Sequence, residues 1–224
     1  MDKLHRTYSR SYRLLGIAFL PPSTARPLLN SHTGDIIDQL LETDPELEGW
    51  HPKIGEAVNN VKTLASNLKK CLSDDGCWET FASEYSSLTV SGYKHVKCPP
   101  YESVYVVHGG YKMIEVPAIG ESLDRYYSLL GLKADKEKVF GSDNISVELE
   151  FLAALHDAEA LALKGSLIDV NPLDIGELRG AFMEDHLSKW TAEFTSCLKN
   201  NTGNSLITNM AVTLESLLLS ERYL

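Results

Sequence analysis

Apolar residues recur every three or four positions along most of this chain, and prolines and glycines cut that rhythm into helix-length pieces. No other feature of the sequence limits the fold so strongly, because a 3.6-residue period lays its apolar side chains along one face of a helix. Leu4, Tyr8, Tyr12, Leu15 and Phe19 form the first stripe, stopped by Pro21 and Pro22. Ile36, Ile37, Leu40 and Leu41 mark a helix over Thr33 to Leu47, with Thr33 as its N-cap candidate. Ile54, Val58, Val61, Leu64 and Leu68 carry the next, Pro52 to Leu72. Asp74 and Asp75 open a fourth through Trp78, Phe81, Tyr85 and Leu88.

Between Val90 and Pro117 the period fails. This long irregular connection contains "CPPYESVY", Cys98 to Tyr105, which is too aromatic for a solvated loop and too broken by proline for a long helix. A short helical turn over Tyr101 to Val106 is its only regular element. Helix resumes at Pro117 and stops at Gly131. The polar spacer "KADKEKVFGS" follows, so residues 131–142 are a hinge candidate. Asp143 is then placed to cap a helix with two apolar faces. Ile145, Leu149, Leu152, His156, Ala160 and Leu163 lie on one face, Val147, Phe151 and Ala154 on the other. Such a helix is packed on two sides. Gly165 ends it, "NPLD" starts the next segment, and Ile175 to Leu198 and Leu206 to Leu224 are the last two helices.

No segment alternates with period two between hairpin turns. The chain is therefore expected to be all-α, an irregular bundle of about eight or nine helices in one domain over 1–224.

A net charge of −10 disfavours nucleic acid and anionic membrane surfaces and favours a cationic partner. No run of about 18 apolar residues provides a membrane span, and "LLGIAFL" ends too soon at two prolines to be a signal peptide. The expected location is cytoplasmic, and Cys71, Cys77, Cys98 and Cys197 read as reduced thiols, none in a C-x-x-C pair. Cys98 is a reactive thiol or a small apolar filler.

Catalytic signatures are missing. There is no G-x-S-x-G, no G-x-x-x-x-G-K-[ST] and no G-x-G-x-x-G. His95, Cys98 and His108 are too few and too scattered for a zinc site and read as loop residues. His156 and Glu159 have the spacing of a bundle metal motif without the second Glu-x-x-His it needs. His156 is thus assigned to the core or to a helix surface, and His186 to a helix surface. Neither a metal nor another cofactor is expected, and a binding protein is left.

Three segments then gain meaning together: "FASEYSSLTVSG…CPPYESVYVV" from Phe81, "SDNISVELEFLAAL" from Ser142, and "FMEDHLSKWTAEF" from Phe182. In this order and spacing, with "YRLLGIAFLPP" before them, they resemble the TorD/DmsD/NarJ-type family of redox-enzyme maturation chaperones. The resemblance covers about Leu4 to Leu224. It implies an all-α cytoplasmic chaperone, not an enzyme, whose partner is the catalytic subunit of a molybdopterin-dependent reductase of anaerobic respiration. Many members of that family hold the client's twin-arginine signal peptide until the cofactor is loaded; others bind a different N-terminal segment.

By motif, the family's binding surface maps to Glu84, Tyr85, Leu88, Tyr101, Glu102, Tyr105, Asp143, Asn144 and Glu148. The carboxylates Glu84, Glu102, Asp143 and Glu148 would take guanidinium groups, and Tyr85, Leu88, Tyr101 and Tyr105 would line the apolar part. Plainer roles compete: Asp143 as an N-cap, Tyr85 as core, Glu148 as a solvated helix residue, Tyr101 and Tyr105 as braces of the loop. Thr89 and Asn144 depart from the family pattern, which has Phe and His there, and point to a different client or client segment. Two other functions remain alternatives: a permanent subunit of a reductase complex, and a metal- or nucleotide-dependent enzyme using the Cys98/His108 loop. Exchange of C-terminal helices through the spacer would permit a homodimer.

Overall fold

The computed structural model describes residues 1–31, 34–90, 96–108, 116–134, 141–167 and 171–224. Eleven α-helices run through them: α1 (Asp2–Ala18), α2 (Pro22–Asn30), α3 (Gly34–Leu41), α4 (Pro52–Leu72), α5 (Asp75–Thr89), α6 (Glu102–His108), α7 (Val116–Leu129), α8 (Ile145–Leu163), α9 (Pro172–Asp185), α10 (Thr191–Asn201) and α11 (Ser205–Ser220). Short 3-10 turns cover Pro45–Gly49, Leu187–Lys189 and Glu221–Tyr223. Among the described residues there is no strand, only an isolated antiparallel bridge between Tyr101 and Asn144. The all-α expectation holds. The helix count is eleven, not eight or nine.

The extra helices have identifiable causes. "PSTARPLLN" forms α2 although Pro27 lies inside it, because Pro22 suits a first turn. The expected helix over residues 33–47 is shorter: α3 ends at Leu41, and Asp44 then caps a 3-10 turn by accepting from the Glu46 N–H at 3.0 Å. Thr33, its cap candidate, lies outside the described residues. The expected helix Ile175–Leu198 is two helices. His186 leaves helical geometry at φ −125°, ψ −84°, with neither proline nor glycine to announce the break.

Two compact units share the chain: Met1–Gly16 with Pro100–Phe194, and Ile17–Pro99 with Thr195–Leu224. In the first, α8 packs on α9, and Phe151, Phe182 and Tyr127 interlock with Phe151 and Phe182 centroids 4.8 Å apart. On α8 Ile145, Leu149, Leu152, His156 and Ala160 of one expected face are buried and so is Phe151 of the other, whereas Val147 and Ala154 are half-buried and Leu163 is exposed. Gly16 makes its close approach to α1 feasible, because a Cβ there would lie 3.2 Å from the Ser146 carbonyl oxygen.

In the second unit α11 packs along α4. Val58, Val61, Leu64 and Leu68 face a core shared with Leu206, Met210, Leu214 and Leu217, all buried. Fully burying one such side chain contributes roughly 1.5–3 kcal/mol. Along α5 the Trp78 ring tilts against Phe81, and Phe81 stacks on Tyr85.

The cysteine expectation is corrected. All four are paired, Cys71 with Cys77 and Cys98 with Cys197, and no free thiol remains. The second pair is 99 residues apart in sequence, a proximity that only the folded chain creates. Cys98 is therefore neither a reactive thiol nor a lone filler.

Candidate functional site

The residues singled out in the sequence divide between the two units. In the first unit, the "PPYE" stretch is held by backbone pairing: the Glu102 N–H donates to the Asp143 carbonyl at 2.9 Å and the Ile145 N–H to the Pro100 carbonyl at 3.0 Å. The prolines spare this segment two backbone donors that would otherwise need partners. α6 then starts at Glu102 in place of the short turn expected there.

At this junction Asn144, not Asp143, caps α8: its side-chain oxygen accepts from the Ser146 N–H at 2.9 Å. Asp143 Oδ2 accepts instead from the Ser103 N–H at 3.2 Å, in the first turn of α6. Tyr101 is half-buried beside Asn144, and burial raises its phenol pKa.

Glu102 and Glu148 lie deeper. Glu102 is 2% exposed, and His186 Nδ1 donates to its Oε2 at 2.9 Å. His186 is itself buried, which corrects the surface assignment; its Nε2 lies 3.2 Å from the Ser122 hydroxyl. Glu148 is fully buried rather than solvated. Trp190 Nε1 donates to its Oε2 at 3.3 Å, while its Oε1 is buried with no hydrogen-bond partner. Burial pushes the Glu148 carboxyl well above the carboxylate range, and the neighbouring Glu102 charge pushes it further. Tyr105 stacks on Trp190 with centroids 5.6 Å apart. Its hydroxyl is buried without a partner, and burial raises its pKa strongly.

The end of the first recognised segment, from Pro100, thus meets the second and third in the first unit. Glu102 comes from the first, Glu148 from the second, and His186 and Trp190, which receive them, from the third. His186 and Trp190 belong to the segment from Phe182, but only the fold shows which carboxylates they face.

In the second unit Glu84 has a definite task. Its Oε1 accepts from the Thr202 hydroxyl at 2.6 Å and from the Gly203 and Asn204 N–H groups at 2.8 and 3.2 Å. These bonds, the Thr202 one foremost, hold its pKa below the ordinary glutamate value. Glu84 borders an open depression of about 720 Å³ whose walls include Lys70, Thr80 and Asn204. Tyr85 is core, as its plainer reading had it: it is fully buried, and its hydroxyl donates to the Phe19 carbonyl at 2.8 Å. Leu88 is buried beside the Cys98 segment, its carbonyl accepting from the Cys98 N–H at 2.9 Å. Cys98 is bonded to Cys197 and so contributes no thiol to that loop. The side chain of His108, and all of His95, lie outside the described residues.

The protein so defined is an all-helical one whose recognisable polar residues grip one another across helices. No helix among the described residues is long and apolar enough to cross a membrane. The family model described as "Nitrate reductase delta subunit" matches residues 53–196. The chain belongs to this family, the NarJ/TorD-type chaperones that mature molybdoenzymes. No curated protein and no solved structure matches it. Chaperones of this family, which are not enzymes, bind molybdoenzyme catalytic subunits.

Proposed function

We propose that the chain is a cytoplasmic chaperone that binds the N-terminal, twin-arginine-type segment of a molybdopterin oxidoreductase catalytic subunit and holds it through folding, cofactor insertion and assembly. The observation that carries this reading is the junction of Tyr101 and Asp143, half-buried at the start of α6 and braced from behind by Glu102–His186 and Glu148–Trp190. In this reading Asp143 takes a guanidinium group, and Tyr101 gives the adjoining apolar stretch a flat, rigid face. Asn144 fixes both by capping α8. Glu102, Glu148 and Tyr105 keep the junction in shape from the interior. Glu84, Tyr85 and Leu88 serve by ordering the helix that precedes the loop. The net charge of −10 draws in a cationic peptide.

The test is a calorimetric titration of the purified chain with signal peptides of the molybdoenzymes encoded in the same genome. Binding of one of them is expected, with Asp143→Asn weakening it by about tenfold for the lost charge-assisted contact and Tyr101→Ala by about tenfold for the lost aromatic burial. Replacing the arginine pair by lysines should weaken it too, because lysine cannot bind bidentately. Failure of every such peptide, and of the unfolded catalytic subunits, would sink the proposal.

A further inference from the structure

The first unit holds a second polar cluster that client binding leaves unused. His5 on α1 and His156 and Glu159 on α8 turn toward one another. The two histidines are 1% and 0% exposed and Glu159 is 9% exposed. His5 Nδ1 lies 3.1 Å from His156 Nδ1 and 3.4 Å from Glu159 Oε2, and the three ligand atoms all lie within 4.8 Å of one another. The i, i+3 spacing of His156 and Glu159 puts both on one face of α8.

Each group is fixed from outside. Tyr8 and Tyr12 pack on the His156 ring with centroids 5.3 and 5.6 Å away. Arg179 Nε donates to Glu159 Oε2 at 3.1 Å. Gly176 leaves room for the other carboxylate oxygen, since a Cβ there would stand 3.3 Å from Oε1.

Two buried imidazoles meeting Nδ1 to Nδ1 can share one proton or one metal ion. Taken pair by pair, a metal about 2.1 Å from both donors would subtend about 95° across the two histidines and about 108° from His5 to Glu159, between octahedral and tetrahedral angles. We propose that His5, His156 and Glu159 form a binding site for a divalent transition-metal ion of the zinc class, with water completing its coordination. Two imidazoles and a carboxylate suit Zn²⁺, Co²⁺ or Ni²⁺ and not the all-oxygen preference of Mg²⁺ or Ca²⁺. Arg179 acts as the outer contact that orients the carboxylate. The ion ties the start of α1 to the second half of α8.

The test uses the full chain, stripped with a chelator and titrated with Co²⁺ and then Zn²⁺. The expected result is one equivalent of Co²⁺ with visible d–d bands, displaced by Zn²⁺. Glu159→Gln keeps the side-chain volume and should weaken uptake at least tenfold, and His156→Gln should abolish the bands. His51→Gln, at the start of α4, should change nothing. Because a substituted buried histidine can fail to fold, circular dichroism accompanies each variant, and the Glu159→Gln result decides if His156→Gln is unfolded. No metal uptake by the wild type in equilibrium dialysis overturns the proposal, as does uptake that Glu159→Gln leaves unchanged.

Discussion

Replacing Glu84 by alanine separates a structural role from a client-binding one. Its Oε1 takes three hydrogen bonds from the Thr202–Asn204 turn that leads into α11. Asn204 caps the same helix by accepting from the Leu206 and Ile207 N–H groups. A buried bond to a charged acceptor is worth about 1.5–3 kcal/mol. Glu84 is partly exposed, and water can replace it on those donors, so each bond counts for about 0.5 kcal/mol. Its negative charge beside the α11 N-terminus adds about 0.3 kcal/mol. Glu84→Ala should therefore cost about 1–2 kcal/mol, or roughly 2–8 °C in Tm for a chain of this size. Glu84→Gln, which keeps an acceptor, should lose about half of that.

The pH dependence has a defined sign. A carboxyl held below its unfolded value stabilises the fold above the unfolded pKa, and that contribution disappears as pH falls through the folded one. The gap between wild type and Glu84→Ala should hence be full at pH 7 and close in acid. Thermal melts at both pH values measure it, and amide exchange at Gly203 to Ile207 shows whether the first turn of α11 frays. An unchanged melting curve and unchanged exchange would refute the capping role. An unchanged melt with lost peptide binding would return Glu84 to the binding surface.

Glu148 should behave oppositely. Its folded pKa is raised by burial and then by Glu102, so stability drops as pH climbs from the unfolded value toward the folded one. Glu148→Gln mimics the protonated form; its stability relative to wild type should improve from pH 5 to pH 9, and denaturant midpoints showing no such trend would contradict the assignment. The disulfides should differ in weight. By chain-entropy reasoning the Cys98–Cys197 loop, with a separation of 99, is worth about 4.7 kcal/mol and the Cys71–Cys77 loop, with a separation of 6, about 2.2 kcal/mol. Urea midpoints of Cys98→Ser and Cys71→Ser should rank in that order, and equal midpoints with and without reductant would count against both bonds.

Much of the fold was legible in advance because helix periodicity is local. The stripes of α1, α4, α5 and α8 needed only spacing of three and four, and Pro21, Gly131 and Gly165 marked the ends of α1, α7 and α8. The glycines sit at φ 69°, the left-handed geometry that such stops require. The α9–α10 break was not legible, because what bends the chain at His186 is not a breaker residue. The His186 ring reaches Glu102, 84 positions earlier.

The candidate site divides in the same way. Sequence alone determined the helical class, the acidic charge, the family segments and the irregular "CPPYESVY" connection, since each is written in residue type and near-neighbour order. Only the tertiary structure decided that Asn144 and not Asp143 caps α8, that Glu102 and Glu148 turn inward to His186 and Trp190, that Glu84 belongs to the α11 turn, and that four cysteines form two pairs. It also brought His5 to His156, 151 positions apart. Burial and partnership are properties of distance in space, and a sequence specifies them only through the whole fold.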